Sequence, residues 1–202
     1  MLKAGESNTV CLCGVVHEDA EFDHRLYGEA FYTVKLYVAR LSGVADLLPV
    51  TIPSRVCPRM PEVGEQIRVY GQLRSYNKHT ENGNRLVITA FARAYEEATG
   101  EIHQNEVDLT GFLCKPVIFR TTPFMREISD ILLAVNRSYS KSDYLPCIAW
   151  GRNAHFAKDI PVGARLHVEG RLQSRLYQKT LEDGVVAERT AYEVSCSCIE
   201  ML

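Results

Sequence analysis

The chain has 202 residues, of which 46% are hydrophobic and 24% charged, and its formal net charge is −2. These values are ordinary for a globular protein with one large or two small cores, and no apolar run approaches the roughly 20 residues that span a bilayer. A near-neutral chain lacks the strongly basic footprint of a nonspecific duplex-DNA binder. Single-strand binding stays open, because base stacking supplies part of its affinity.

The two halves of the chain repeat the same landmarks. The repeated segments are 8–14 and 105–111, 46–49 and 143–146, and 71–75 and 170–174. The offset is 97 for the first two pairs and 99 for the third. A period of about 100 residues suits two small domains better than the units of a solenoid. We therefore predict domains at residues 1–103 and 104–202.

In the first copy, short β-branched and aromatic segments bounded by Gly, Pro and polar residues predict strands. They are Thr9–Val16, Phe31–Arg40, Leu48–Ile52, Gln66–Leu73 and Leu86–Tyr95. The segment 54–62 contains two interior prolines, which argue against a regular helix and predict an irregular turn. The short, polar segment 99–104 then joins the copies, so we expect the two domains to lie close together.

The second copy repeats this pattern with one helix. Its predicted strands are Glu106–Gly111, Ile128–Asn136, Tyr144–Trp150, Arg165–Gly170 and Thr190–Ile199, and its helix, 152–160, ends at Pro161. Five strands with a helix between the third and fourth are typical of an OB-fold. The predicted fold class is all-β, with two tandem OB-folds (five-stranded Greek-key barrels), the second with a short helix between strands 3 and 4. Glycines within the strands, at 14, 71, 111 and 170, predict bulges or tight bends.

The seven cysteines are odd in number and include no Cys-x-x-Cys, and the N-terminus has no apolar signal region. This pattern favours reduced thiols and a cytoplasmic protein. Cys11/Cys13 and Cys196/Cys198 could each present two sulfurs to a soft metal, or simply be small buried apolar residues. Their spacing fits no common zinc pattern, so the prediction is no metal and no cofactor.

No nucleophile, base and acid set presents itself, so we predict no catalytic residues and no enzyme activity. Aromatic residues are instead interleaved with basic ones in the second copy. Tyr144 and Trp150 share one face of a strand, and Tyr177 follows Arg171 and Arg175 near a hairpin tip. Rings stack on any base while nearby cations follow the phosphates. The alternative is that the rings pack in the barrel interior.

Three segments, Leu133–Tyr139, Asp143–Ala154 and Val168–Tyr177, together resemble the bacterial single-stranded DNA-binding protein family (SSB), as does Thr122-Pro123. The resemblance covers roughly residues 105–202. It implies an OB-fold that binds single-stranded DNA without much sequence preference, without catalysis, in replication, recombination or repair. It places Tyr144, Trp150 and Tyr177 where the family has its base-stacking aromatics. It also implies four OB-folds per assembly, which for this two-copy chain means a homodimer.

The first copy departs from the family pattern. Leu47 and Pro53 stand where Tyr144 and Trp150 would be expected, and Tyr76 lies near the place of Tyr177. The first domain is therefore expected to bind weakly or to help assembly. No acidic tail follows the last strand in this sequence, so recruitment of replication or repair proteins is left open.

Two hypotheses remain for the function. The leading one is nonspecific single-stranded DNA binding and protection; the alternative is an OB-fold interaction module of a primosome or recombination complex with weak DNA binding. The candidate nucleic-acid-binding residues are Tyr144, Trp150, Tyr177, Arg137, Lys141, Arg152, Arg171, Arg175, Lys179, Tyr76 and Arg74. Binding through these cations would depend on salt.

Overall fold

The computed structural model describes residues 7–57, 59–80, 83–100, 104–180, 184 and 186–202, apart from the side chains at positions 80, 84 and 179. In this part of the chain, no helix has the length and apolar character needed to cross a membrane. The boundary between residues 103 and 104 falls beside the undescribed residues 101–103 and stays a prediction.

In its described residues, the N-terminal half consists of strands and one short turn of 3₁₀-helix. Its strands are β1 (Asn8–Val16), β2 (Glu21–Leu26), β3 (Glu29–Ala39), β4 (Ala45–Pro53), β5 (Gln66–Thr80) and β6 (Gly83–Glu97). The 3₁₀ turn, Ser54–Val56, lies where the sequence predicted an irregular turn instead of a helix.

The C-terminal half repeats this order. Its elements are β7 (Asn105–Leu113), β8 (Ile118–Thr121), β9 (Glu127–Arg137), β10 (Lys141–Trp150), α1 (Arg152–Ala157), β11 (Arg165–Thr180) and β12 (Val186–Met201). The prediction of two tandem OB-folds with one short helix is confirmed. Each half also has one strand beyond the five predicted, because β2 pairs with β3 and β8 pairs with β9 in hairpins. All six residues of β2 are exposed, so its sequence carries no alternating pattern.

The two barrels share one 12-stranded sheet whose order is β2-β3-β4-β6-β5-β1-β7-β11-β12-β10-β9-β8. Additional pairings, β3 with β1 and β7 with β9, close each barrel. At the centre β1 and β7 pair antiparallel, with Asn8 opposite Leu109 and Leu12 opposite Asn105. Adding 97 to Asn8 gives Asn105, and adding 97 to Leu12 gives Leu109, so each pair is the image of the other under the repeat. We call this β1–β7 junction the seam. A pseudo-twofold axis that relates the two halves passes through it.

Glycines let the long strands bend at equivalent places in the two barrels. The register shifts at Gly71 in β5 and at Gly170 in β11. A Cβ at Gly71 would lie 2.0 Å from the carbonyl oxygen of Phe91, and one at Gly170 would lie 2.3 Å from that of Ser195. Such contacts are too short for any side chain, so both bulges require glycine.

A buried carboxylate of each barrel binds the other barrel across the seam. The Asp46 side chain is 0% exposed and forms a bidentate pair with Arg40, with both N–O distances 2.6 Å. From the C-terminal barrel, the backbone N–H and the hydroxyl of Ser174 donate to the same carboxylate at 2.7 and 2.8 Å. These contacts satisfy a charge that would be costly to bury alone.

The equivalent carboxylate, Asp143, makes the reciprocal contacts. It is also 0% exposed, and it accepts from the backbone N–H of Ser75 at 2.8 Å and from Arg74 at 3.0 Å, both in the N-terminal barrel. Arg137 of its own barrel lies 3.5 Å away. We call these two sets of contacts the carboxylate clasp. The clasp explains why Asp46 and Ser75 recur in the second copy as Asp143 and Ser174.

The protonation of Asp46 is coupled to this contact. Burial by itself would raise the pKa of Asp46, but the hydrogen bonds from Arg40 and Ser174 outweigh burial and lower that pKa below its ordinary value. A carboxyl whose pKa is lower in the folded than in the unfolded state stabilises the fold above its unfolded pKa. That stabilisation is lost as the pH falls through the folded pKa.

The substitution Asp46→Asn should lower the free energy of unfolding by about 2–4 kcal/mol near neutral pH, because it leaves Arg40 without its buried partner. The difference from the wild-type chain should narrow as the pH falls below about 4, where the wild-type carboxylate also loses its charge. Urea unfolding at a series of pH values measures both effects. Asp19→Asn, at an exposed position, is the matched control. A difference that stays constant across this pH range would contradict the role given to Asp46.

Candidate nucleic-acid interface

Strand β10 presents two aromatic rings on its outer face. The side chains of Tyr144 and Trp150 are 49% and 36% exposed, whereas the alternate residues Leu145 and Cys147 are buried at 0% and 2%. This is the alternation of a strand with one face on the core. The two rings therefore lie on the outer wall of the C-terminal barrel, and the alternative of an interior position is excluded.

Trp150 lies at the wall of a cavity of about 560 Å³, which we call the C-terminal groove. Its indole Nε1 donates to Ser195 Oγ on β12 at 3.2 Å, which fixes the ring beside the neighbouring strand. The groove is rich in arginine and includes one residue of the N-terminal barrel. Its lining residues are Arg40, Arg120, Thr122, Arg126, Ile128, Ile148, Trp150, Arg171, Gln173, Ser174, Arg175, Glu193 and Ser195.

The arginines of this groove outnumber its carboxylates by five to one, Glu193 being the acidic residue of the lining. Arg175 lies 3.6 Å from Glu193. Arg171 instead contacts the amide oxygen of Gln173 at 3.4 Å. Burial lowers the pKa of Arg171, and the neighbouring Arg40 lowers it further. An anion in the groove would relieve this repulsion between crowded cations.

Tyr177 extends the groove along β11. Arg171, Gln173, Arg175 and Tyr177 alternate along this strand and so share its outer face. The guanidinium of Arg175 lies over the Tyr177 ring, 5.8 Å from its centroid, a cation–π geometry that holds the ring in place. The ring is half-buried, so one part of its surface stays accessible. The structure thus brings Trp150, Arg171, Arg175 and Tyr177 to one face.

The remaining sequence-predicted residues lie elsewhere. Tyr144 is at the seam, where its backbone N–H donates to Ser75 Oγ at 2.7 Å. Lys141 begins β10 and Arg152 begins α1; both are exposed and line neither groove. Arg74 and Arg137 belong to the carboxylate clasp. Tyr76 is 47% exposed on β5, and the side chain of Lys179 lies outside the described part of the chain.

Sequence reasoning missed three cations of the C-terminal groove: Arg40, Arg120 and Arg126. Arg120 and Arg126 flank the β8–β9 turn, and Arg40 comes from the other barrel. A hairpin recognised at Thr122-Pro123 would have brought the first two together. Arg40 could be placed only once the pairing of the barrels was known.

A second cavity, of about 510 Å³, lies on the N-terminal barrel, and we call it the N-terminal groove. It joins Tyr76 and Arg74, which the sequence analysis proposed, to Phe31, Phe91 and Arg137, which it did not place there. Its lining residues are Asp23, His24, Leu26, Phe31, Thr51, Arg74, Tyr76, Lys78, Thr89, Phe91 and Arg137.

The Cys-x-Cys pairs are placed as small buried or half-buried residues. Cys11 and Cys13 are 1% and 0% exposed, and burial raises the pKa of the Cys11 thiol to about 11. Among the described residues, Asp108, His167 and Glu169 bring metal-ligand-type atoms within 4.8 Å of one another. Neither Cys-x-Cys pair belongs to such a group in that part of the chain.

Comparisons with protein families and with individual proteins all indicate one family. The model of the Single-strand binding protein family matches residues 104–202. Single-stranded DNA-binding protein 1 of Staphylococcus aureus is 32% identical over 105 residues, which are 48% of this chain and 60% of that protein. Single-stranded DNA-binding protein B of Bacillus subtilis is 34% identical over 88 residues, which are 40% of this chain and 76% of that protein.

A solved structure resembles the whole chain. The wild-type single-stranded DNA binding protein from Thermus aquaticus superposes with a TM-score of 0.76 and covers 96% of this chain and 92% of its own, at 22% identity. At this identity the likeness shows the fold, which extends over both barrels. The chain spans about 60% of the length of the Staphylococcus aureus relative.

Proposed function

The chain belongs to the single-strand binding protein family, and we propose that it binds and protects single-stranded DNA with little sequence preference during replication, recombination or repair. Two of its relatives are named as single-stranded DNA-binding proteins. We propose a binding role without catalysis, because those names describe binding.

The observation that carries this proposal is the position of Trp150 among arginines. Its ring is exposed at the wall of a groove that five arginines line. A flat ring offers a stacking surface to any base, and guanidinium groups attract any phosphate, so neither contact selects a sequence. This combination suits a strand whose bases are unpaired, because a duplex would hide its base faces.

We propose that the outer face of β11 sets the direction of the bound DNA strand. Arg171 and Arg175 line the same groove as Trp150, and Tyr177 follows Arg175 on the same face of β11. We propose that the DNA backbone follows the arginines while successive bases stack on Trp150 and Tyr177. Arg40 extends the cationic lining to the N-terminal barrel, so the path continues across the seam.

Binding should quench the fluorescence of Trp150, the single tryptophan of the chain, when a deoxythymidine oligomer is added. The double substitution Trp150→Ala and Tyr177→Ala should weaken binding of a labelled oligomer by about 1–3 kcal/mol per ring, as measured by fluorescence anisotropy. Phe112→Ala removes another exposed ring of the same barrel and is the control.

A folded double variant with intact affinity would reject this use of the groove. It would favour the alternative function, an interaction module of a primosome or recombination complex, or a binding face elsewhere on the molecule.

The dependence of binding on salt should identify the phosphate contacts. For single strands, each neutralised phosphate contributes about 0.7 to the slope of log affinity against log salt concentration. Arg171→Ala and Arg175→Ala should each reduce the magnitude of the slope by about that amount. Arg165→Ala changes an exposed arginine of the same strand outside the groove and should leave the slope unchanged. Equal slopes for all variants would refute the phosphate contacts.

We also propose that the chain forms a homodimer with four OB-folds. Closed twofold assemblies are the commonest oligomers, and the chain supplies two barrels. Without ligand, the solution mass should be twice the 22.8 kDa of one chain, and a long deoxythymidine oligomer should increase it by the mass of the bound oligomer. A single-chain mass across micromolar concentrations would contradict the proposal. A cytoplasmic, nucleoid-associated location follows from the proposed ligand and is part of the same proposal.

A further inference from the structure

The N-terminal groove occupies the place in its barrel that the C-terminal groove occupies in the other. Thr51 lines the first groove, and Ile148, 97 positions later, lines the second. Each groove is completed by an arginine from the opposite barrel, Arg137 in the first and Arg40 in the second. The two grooves are therefore related by the same pseudo-twofold axis as the strands.

In the N-terminal groove, the ring that takes the place of Trp150 lies on a different strand. Pro53 stands at the position equivalent to Trp150, so β4 offers no ring there. In the C-terminal barrel, Ile148 of β10 is paired with Ser195 of β12. The equivalent pairing in the N-terminal barrel joins Thr51 to Phe91 of β6. A phenylalanine thus takes the place of the serine that holds the indole, and the ring moves to the adjacent strand.

Further rings surround Phe91. The Phe31 ring centroid lies 6.0 Å from that of Phe91, and the imidazole of His24 stacks on Phe31 at 4.6 Å with the planes 6° apart. Tyr76 borders the groove with 47% of its side chain exposed. The cavity of about 510 Å³ is within the range of pockets that hold small organic groups.

Cations border these rings. The guanidinium of Arg74 lies 6.0 Å from the centroid of Phe91, and Lys78 and Arg137 line the same groove, against Asp23 as the acidic residue of the lining. Arg74 and Arg137 also line a second cavity of about 350 Å³, together with Arg93. An apolar peptide would make no use of the cations, and an acidic peptide would make no use of the rings. A nucleic-acid strand uses both.

We infer that the N-terminal groove is a second nucleobase-binding site, in which unpaired bases of a single strand stack on Phe91 and Tyr76 while Arg74, Lys78 and Arg137 face the phosphates. This inference rests on the proposed single-strand binding, but none of the residues it needs lines the C-terminal groove. Sequence alignment of the two copies places Tyr76 near the position of Tyr177, but it misses Phe91 because this ring is not at the position equivalent to Trp150.

The test uses the full chain with Phe91→Leu and Tyr76→Leu together, which keeps apolar volume and removes the rings. Affinity for a deoxythymidine oligomer long enough to reach both grooves should fall by about five- to a hundred-fold. The number of nucleotides covered per chain should fall as well. Quenching of Trp150 by a short oligomer should be unchanged, because this probe reports the other groove. Tyr37→Leu, at a ring that is 41% exposed outside both grooves, is the matched control.

Cross-linking gives a second measurement that does not depend on the stability of a variant. An oligomer of 5-iododeoxyuridine, irradiated with the wild-type chain, should cross-link to peptides that contain Tyr76 or Phe91. Unchanged affinity of the folded double variant, or cross-links confined to the C-terminal barrel, would overturn the inference while the proposed function stands. Absence of Trp150 quenching and of any binding by the wild-type chain would overturn both.

Discussion

The structure depends on the pairing of β1 with β7, secured on either side by a buried carboxylate. The backbone hydrogen bonds of a strand pairing supply little selectivity between registers by themselves, and side-chain contacts must provide it. Asp46 and Asp143 add that selectivity, because each can satisfy its buried charge only when a serine of the other barrel is in register. A slip by one residue would leave both charges without their cross-barrel donors, at a cost of several kcal/mol each. The relative position of the two barrels, and hence of the two grooves, follows from this constraint.

The clasp also organises the cations at the surface. Arg40 and Arg137 hold the buried carboxylates, and the same side chains line the grooves of the opposite barrels. The two arginines that neutralise the buried carboxylates thus also form part of the cationic surface of the grooves. This arrangement supplies Arg40, one of the five arginines that line the C-terminal groove of a chain whose net charge is −2. Net charge describes the whole surface, whereas binding of a strand depends on the local potential.

The sequence predicted the fold well because its repeat marks the seam. Asp46 and Ser75 recur in the second copy since each is needed once on each side of a twofold contact. The outward position of Trp150 could not be predicted, because the alternation of residues along a strand assigns them to two faces without showing which face is exposed to solvent. Arg40 and Phe91 were missed for another reason. Their positions in the grooves depend on pairings between distant strands or between barrels, and no local pattern reports such pairings.

The same distinction explains why the two copies differ where they do. A residue at the seam must match its counterpart, since one substitution disturbs contacts of both barrels. A residue at a groove wall has no such counterpart, and a ring can be supplied from either of two adjacent strands. Phe91 on β6 and Trp150 on β10 are two solutions to one geometric requirement, a flat apolar surface beside the line of cations. The absence of an aromatic ring at position 53, where Pro53 stands, is therefore weak evidence that the first barrel has lost base stacking. Two or more paired strands form each groove surface. The two barrels should therefore be compared by these surfaces, and not by aligned sequence positions.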